Sequence, residues 1–340
     1  MNVKVGDFSE VQLIRMIYTR FSDVIIDRDR LPFGDDAFLT NVYNEISSEK
    51  SILINVDMLV ESTDIIPQLG LKCAGWKFVT MVVSDLAAKG AIPKEFILSL
   101  GLPKDMAIKD FEDFLSGIHE ALKFYNLRLI GGDLNESKEL IADGFVIGYA
   151  PYRIIRRKGI KPGDILATTG VFGVTGLGFK IFLEKNKLKN LSKEDFEYIK
   201  RFMCRPIARV KEGVFLSENE EVVSAIDSSD GLVRSIYELI RNNENIGFII
   251  DNVPIDEKVR EISIRNNVNP VDFALYGGEE FEIIFAVKRD CWDNFMKKAR
   301  KNNYKFYKIG EAIASPEVIL RNEKGSKKIV ERGWIHFKNE

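Results

Sequence analysis

Leu129-Ile130-Gly131-Gly132-Asp133-Leu134-Asn135-Glu136-Ser137 runs an apolar strand into two glycines and then a carboxylate. Neither glycine carries a Cβ, so the backbone can turn sharply and approach a ligand closely, presenting Asp133 at a strand end. Taken alone, this is ordinary turn chemistry. Working outward, Gly34-Asp35-Asp36, Asn55-Val56-Asp57, Ser84-Asp85 and Asp227-Ser228-Ser229-Asp230 each set a carboxylate beside or at the end of an apolar segment. All five sit in stretches that read as ordered.

The chain between these points is ordinary. Its 340 residues predict two domains or one large one, and 45% hydrophobic content suffices for a sizeable core. With 49 basic against 51 acidic residues, the formal charge of −2 offers no electrostatic footprint for nucleic acid and no polybasic membrane patch. No window reaches 18 uninterrupted apolar residues, and Met1 to Glu10 lacks a basic region followed by an apolar run. Neither export nor membrane insertion is expected, and a cytoplasmic location is. Cys73, Cys204 and Cys291 show no CxxC spacing, which predicts three reduced thiols rather than a disulfide frame or a zinc site. Two histidines, His119 and His336, leave little for imidazole-based metal binding or a His-centred triad.

Periodicity predicts helices over 9–21, 71–89 and 108–125, and strands over 37–43, 51–58, 94–101 and 139–150. Antiparallel pairing of the first two strands is expected to leave Asp36 and Asp57 at opposite ends unless the sheet continues beyond them. Asp85 falls in the last turns of its helix, where the macrodipole disfavours a carboxylate, so a cation such as Lys89 is wanted beside it. After Pro151 come Arg153, Arg156, Arg157 and Lys158, a basic run that reads either as a solvated connector or as a cationic lip for phosphate. Strand 165–168 then leads into a glycine-rich turn, residues 169–178, able to cradle an anion at a helix start. Strand 222–226 ends in Asp227-Ser228-Ser229-Asp230-Gly231-Leu232 before a helix reaching about Asn242, where Ser229 or Asp230 could simply cap. Tyr276-Gly277-Gly278-Glu279-Glu280-Phe281 precedes strand 282–287, and a last αβ unit ends at Trp334.

Separated carboxylates need a reason to gather. Two of them about 4 Å apart repel by roughly 4 kcal/mol at an effective dielectric near 20, so a shared cleft calls for a cation. Oxygen-only ligands point to a hard ion, and magnesium is typically held by one or two carboxylates plus substrate phosphates. That implies a nucleotide. Yet no Gly-Lys-Ser/Thr follows the glycine-rich turn, and the protein-kinase His-Arg-Asp and Asp-Phe-Gly sets are missing.

Gly34-Asp35-Asp36, Asp57-Met58-Leu59-Val60, Ser84-Asp85-Leu86-Ala87-Ala88-Lys89-Gly90, Gly131-Gly132-Asp133, Asp227-Ser228-Ser229-Asp230-Gly231-Leu232 and Gly277-Gly278-Glu279, in this order and spacing, resemble the thiamine-monophosphate kinases. These belong to the superfamily of aminoimidazole ribonucleotide synthetase-like ATP enzymes. The resemblance spans nearly the whole chain. It implies an α/β (α+β) fold of two domains, residues 1–150 with a mixed sheet that pairs across a homodimer, and residues 151–340 folding over it. It also implies transfer of a phosphoryl group from ATP, with several magnesium ions, to thiamine monophosphate. Asp36, Asp57, Asp85, Asp133, Asp227 and Asp230 match magnesium positions, and Gly132, Asp133, Arg157 and Ser229 match ATP contacts. Asp133, Asp230 and Arg157 fall where catalysis is expected, and Asp64, Glu279 and Trp334 where the thiamine moiety is approached.

There are departures. Asp64-Ile65 stands where the family usually has His-Phe, Gly277-Gly278-Glu279-Glu280-Phe281 where it has Gly-Gly-Glu-Asp-Tyr, and Trp334 where Tyr is common. Trp334 either stacks on substrate or closes the core. A ring-closing synthetase of the same superfamily and a non-catalytic nucleotide-binding partner are the alternatives, disfavoured by the Asp227-Ser228-Ser229-Asp230 set and by the completeness of the carboxylates.

Overall fold

The computed structural model describes residues 38–40, 51–184, 188–323 and 325–333. The expected helix 9–21, Asp36 and Trp334 lie outside the described residues.

Strands β1 (Phe38–Thr40), β2 (Ser51–Val60), β3 (Ile92–Leu102), β4 (Arg128–Glu136) and β5 (Ile141–Ala150) form one sheet in the order β1-β2-β5-β3-β4. Its pairs are antiparallel except β3 with β4. That parallel pair needs a crossover, which helix α2 (Ile108–Phe124) supplies. Helix α1 (Leu71–Ala88) packs beside α2, and the two cross where glycine is required: a Cβ on Gly75 would sit 2.2 Å from the Phe114 carbonyl, and one on Gly117 2.1 Å from that of Lys72. Along β2, Leu53, Asn55 and Leu59 are buried while Val56 and Met58 are exposed, the alternation of a sheet covered on one face.

A second sheet takes the order β12-β11-β8-β10-β6-β9-β7. Its strands are β6 (Ile165–Thr168), β7 (Val222–Asp227), β8 (Gly247–Ile250), β9 (Ile283–Val287), β10 (Tyr307–Ile313), β11 (Val318–Asn322) and β12 (Gly325–Ile329). Helices α3 (Val174–Leu183), α4 (Lys193–Cys204), α5 (Val210–Glu218), α6 (Leu232–Arg241), α7 (Glu257–Arg265), α8 (Pro270–Tyr276) and α9 (Trp292–Lys301) accompany it. β6 and β9 are buried at every residue, as continuous apolar runs are when both faces are covered. One face packs Leu177, Ile236 and Val259; the other packs Phe215, Phe295 and Phe306, each full burial worth about 1.5–3 kcal/mol. Ala87 and Ala88, at the end of α1, belong to this second face. Helix α1 therefore runs from the core of the first sheet into that of the second.

Four expectations are corrected. Gly131-Gly132-Asp133 is no turn, since β4 continues through it with one register shift against β3. Gly132 is needed because a Cβ there would lie 1.9 Å from the Leu98 carbonyl of the neighbouring strand. The β1–β2 register sets Phe38 opposite Ile54 and Thr40 opposite Ile52, so the start of β1 lies at the end of β2 where Asp57 stands, not at the opposite one. Cys73 and Cys204 form a disulfide across 131 residues of sequence, because α1 and α4 meet there with Cα atoms 4.4 Å apart; Cys291 alone is a free thiol. The glycine-rich turn faces the protein's own carboxylates: the Gly173 N–H donates to Glu280 Oε1 at 3.1 Å and the Thr169 hydroxyl to Glu282 Oε2 at 2.6 Å.

Candidate active site

Helix α1 is the spine of the site. It carries Lys77 near its start and Ser84 two turns later on the same face, followed at once by Asp85. At 1.5 Å per residue, Lys77 and Asp85 stand about 12 Å apart along the axis.

At the Asp85 end three carboxylates gather from three elements: Asp57 on β2, Asp85 on α1 and Asp227 closing β7. Asn55 Nδ2 donates to Asp85 Oδ2 at 2.5 Å, and the Ser84 hydroxyl to Asp227 Oδ2 at 2.9 Å. Burial, then the charges of Asp227, Asp64 and Asp230, push the Asp57 carboxyl up to about 7. Burial and the charges of Asp227 and Asp57 hold Asp85 well above the usual carboxylate range. Asp227 is raised by burial against the pull of Arg157, Ser84 and Lys89. Lys89 is the cation expected beside Asp85, but its ammonium donates to the Ala225 carbonyl at 3.1 Å and only partly offsets the crowding. Ser228, next in the chain, is fully buried, and its hydroxyl meets no hydrogen-bond partner among the described residues.

The loop from Asp227 to Asp230 is stitched to the loop after α8. Ser228 N–H donates to the Glu282 carbonyl, Phe281 N–H to that of Ser228, and Glu279 N–H to that of Ser229 at 2.6 Å. Glu279 and Phe281 take φ of +63° and +53°, left-handed values that side-chain-bearing residues seldom adopt. Neither Ser229 nor Asp230 caps α6, whose N-cap is Gly231 with no side-chain bond. The basic run divides: Arg153 ties down the carbonyls of Asn219 and Val222, while Arg157 lies close enough to Asp227 to lower its pKa.

At the Lys77 end, Asp64, Ile65, Ile66, Leu69, Cys73, Ala74, Lys77, Met203 and Glu279 line a narrow cavity of about 20 Å³. Lys77 Nζ donates to the Asp64 carbonyl and to Glu279 Oε1, both at 2.5 Å. The Asp64 carboxylate turns the other way and accepts from the Val60 N–H at 2.7 Å.

The structure thus brings Asp57, Asp85 and Asp227 together, with Asp64, Asp230 and Arg157 at the margin and Glu279 at the far end of α1. It does not bring Asp133 or Gly132 to them. Asp133 pairs with Ser99, Ser99 with Asp143 and Asp143 with Met58, so Asp133 shares the exposed face with Met58, opposite to Asp57, three strand spacings or about 14 Å away. Sequence reasoning missed Lys77 and the supporting roles of Asn55 and Ser84; the partners that mark Lys77 lie 13 and 202 residues away. Among the described residues no three His, Cys, Asp or Glu side chains converge so as to hold a metal by themselves.

The family model for the AIR synthase related protein, N-terminal domain, matches residues 34–150. Thiamine-monophosphate kinase of Pyrococcus horikoshii is 33% identical over 97% of this chain and 96% of its own, and that of Pyrococcus abyssi 33% over 91% and 92%. The solved structure of AaThiL complexed with AMPPCP and TMP superposes with a TM-score of 0.82 over 99% of each chain at 23% identity, showing the same fold. With a third of its residues shared along almost the entire length of such relatives, and Asp57, Asp85 and Asp227 gathered at one helix, this chain belongs to the thiamine-monophosphate kinase family.

Proposed function

We propose that the chain transfers the γ-phosphoryl group of ATP to thiamine monophosphate, yielding ADP and thiamine diphosphate. The relatives' names and the AaThiL complex with AMPPCP and TMP support the reading. The observation in this chain that carries it is the gathering of Asp57, Asp85 and Asp227 from β2, α1 and β7, about 12 Å along α1 from a pocket rimmed by Asp64, Lys77 and Glu279.

The donor set fits magnesium: among the described residues, the carboxylates of Asp57, Asp85 and Asp227 are neighboured by the Asn55 amide, the Ser84 hydroxyl and the Lys89 and Arg157 cations. Asp57, Asp85, Asp227 and Asp230 would hold it together with nucleotide phosphates, and Asp36 is added on the resemblance alone; Asp133, on the opposite face of the sheet, is not part of this set. Bound there, magnesium supplies positive charge against the phosphoryl oxygens. Arg157, beside Asp227, adds a cation to the same end. The cavity of about 20 Å³ holds little more than a water, so the acceptor's organic part would lie across its mouth, against Ile65, Ile66, Leu69 and Met203, with its cationic ring toward the Glu279 carboxylate. The acceptor oxygen is already anionic near neutral pH, so no general base is needed. One oxygen–phosphorus bond forms at the acceptor as the γ-phosphorus bond to ADP breaks, in line and without a phosphoenzyme.

Residues 1–150 are proposed as the nucleotide-binding and dimerising domain, and 151–340 as the domain folding over it. The exposed face of the first sheet carries Val56 at 45%, Met58 at 51% and Phe145 at 38% accessibility, and a second copy of that face is the cover we assign to it. Light scattering should give a dimer at micromolar concentration; a monomer would remove this assignment. No helix among the described residues is long and apolar enough to cross a membrane. The cytoplasm, where ATP is supplied, is the proposed location. Incubation with ATP, magnesium and thiamine monophosphate should release ADP stoichiometrically with thiamine diphosphate, and with ATP chiral at its γ-phosphorus the product should show inversion. Lack of turnover rejects the kinase reading, and net retention rejects direct transfer.

A further inference from the structure

Lys77 has a desolvated side chain, 9% exposed, in a segment where its neighbours Trp76, Phe78 and Val79 are plainly core. A buried ammonium persists only where its donors are used. Here one goes to the main-chain carbonyl of Asp64, in the turn that follows β2, and another to the carboxylate of Glu279, in the loop that follows α8. Those two segments are 215 residues apart and reach the pocket from the two different sheets. Glu279 itself sits at φ +63°, with its N–H fixed on the Ser229 carbonyl, so backbone and side chain are both restrained toward one orientation.

We propose that Lys77 is a positioning residue for the acceptor: it fixes the Glu279 carboxylate and the Asp64 turn as the two sides of the pocket mouth against which the cationic ring lies. A point charge suits this task, because one ammonium can bond a carbonyl and a carboxylate that lie in different planes. Its place on α1, in register with Ser84 and Asp85, also ties the acceptor's position to that of the carboxylate cluster. The proposal rests on the kinase reading and adds to it a residue whose bonds go to the Asp64 carbonyl and Glu279 rather than to Asp57, Asp85 or Asp227.

Steady-state kinetics of the full chain with ATP, magnesium and thiamine monophosphate separate the two. Lys77→Met should raise KM for thiamine monophosphate about tenfold or more while KM for ATP stays within about twofold, the pattern of lost substrate positioning. Lys77→Arg should recover part of the loss, and Lys77→Met combined with Glu279→Gln should be no worse than the more severe single variant, because the two act as one unit. The double variant also removes both charges together, so it keeps the test open if the single one does not fold. An unchanged acceptor KM in Lys77→Met, equal losses toward ATP and acceptor, or fully additive losses in the double variant would overturn the proposal. A wild-type protein that does not phosphorylate thiamine monophosphate would instead overturn the kinase reading.

Discussion

The two ends of helix α1 are built on opposite electrostatic plans. At its start, charges are paired and the chain is braced: Lys77 bonds Glu279, the Trp76 indole donates to the Pro206 carbonyl at 2.7 Å, and Cys73 is joined to Cys204. At its end, Asp57, Asp85 and Asp227 crowd one another, with Arg157 and Lys89 offsetting only part of the repulsion. In the proposed reading the contrast separates two tasks. A rim against which an organic cation docks is best braced in advance, whereas a site for magnesium and polyphosphate must keep charge in reserve until those arrive.

The strongest way to break the contrast is to remove the covalent brace. In the chain-entropy account, cross-linking residues 131 apart in sequence is worth about 5 kcal/mol against the unfolded state, a ceiling that native relaxation lowers. Cys204→Ser should cost a large share of that in denaturant unfolding under oxidising conditions, while folded protein still turns over, since the Lys77 and Trp76 bonds remain. Equal stability of variant and parent would mean that the brace is not formed in solution.

At the other end, Asp57→Asn should act in the opposite sense on stability and activity. It removes one of the mutually repelling charges, so the metal-free protein should become more stable. Turnover should fall about 10²–10³-fold, or roughly 3–4 kcal/mol, the usual loss when one preorganised charge-stabilising group is deleted. A variant that loses stability and activity together would place Asp57 in the fold's support rather than in the reserve of charge.

How much of this could be read beforehand follows from which interactions are local. The helix over Leu71–Ala88 and the strands β2, β3, β5, β6 and β7 were visible in periodicity, because burial on one face or both writes itself into neighbouring residues. Asp57, Asp85 and Asp227 could be picked out as strand and helix ends, though their convergence rested on resemblance. Lys77 could not be picked out, since its partners are 13 and 202 residues away and nothing nearby marks it as other than a snorkelling surface lysine. Cys73 and Cys204 were hidden for the same reason: spacing rules register short loops, and this one is closed by the packing of α1 on α4. The glycine-rich turn misled because an anion cradle looks alike whether the anion is a phosphate or the protein's own Glu280.

The finest test of the contrast is the dependence of magnesium's stabilising effect on pH. Asp57 titrates at 3.8 in a free chain and at about 7 here. A carboxyl raised on folding contributes its stability in full below the unfolded value and loses it as pH climbs through the folded one, so the metal-free protein should weaken between about pH 4 and 7. Glu280, pushed up by burial to about 8, has the same sign and extends the decline slightly higher. The two differ in what relieves them. Glu280 accepts from Gly173 on the glycine-rich turn, so magnesium should leave its share of the slope untouched, whereas ionised Asp57 is a metal ligand in this reading. At pH 5 the ion must displace a proton from Asp57; at pH 8 it need not. Magnesium at a hundredfold excess over its Kd should therefore add up to about 2.7 kcal/mol at pH 8 and markedly less at pH 5, read as the shift in unfolding midpoint with and without the ion. In Asp57→Asn the increment should lose part of its pH dependence, Asp85 and Asp227 keeping the rest, while the decline owed to Glu280 persists. An increment in the parent protein that is the same at both pH values would show that the carboxylate end of α1 is not the reserve of charge that distinguishes it from the Lys77 end.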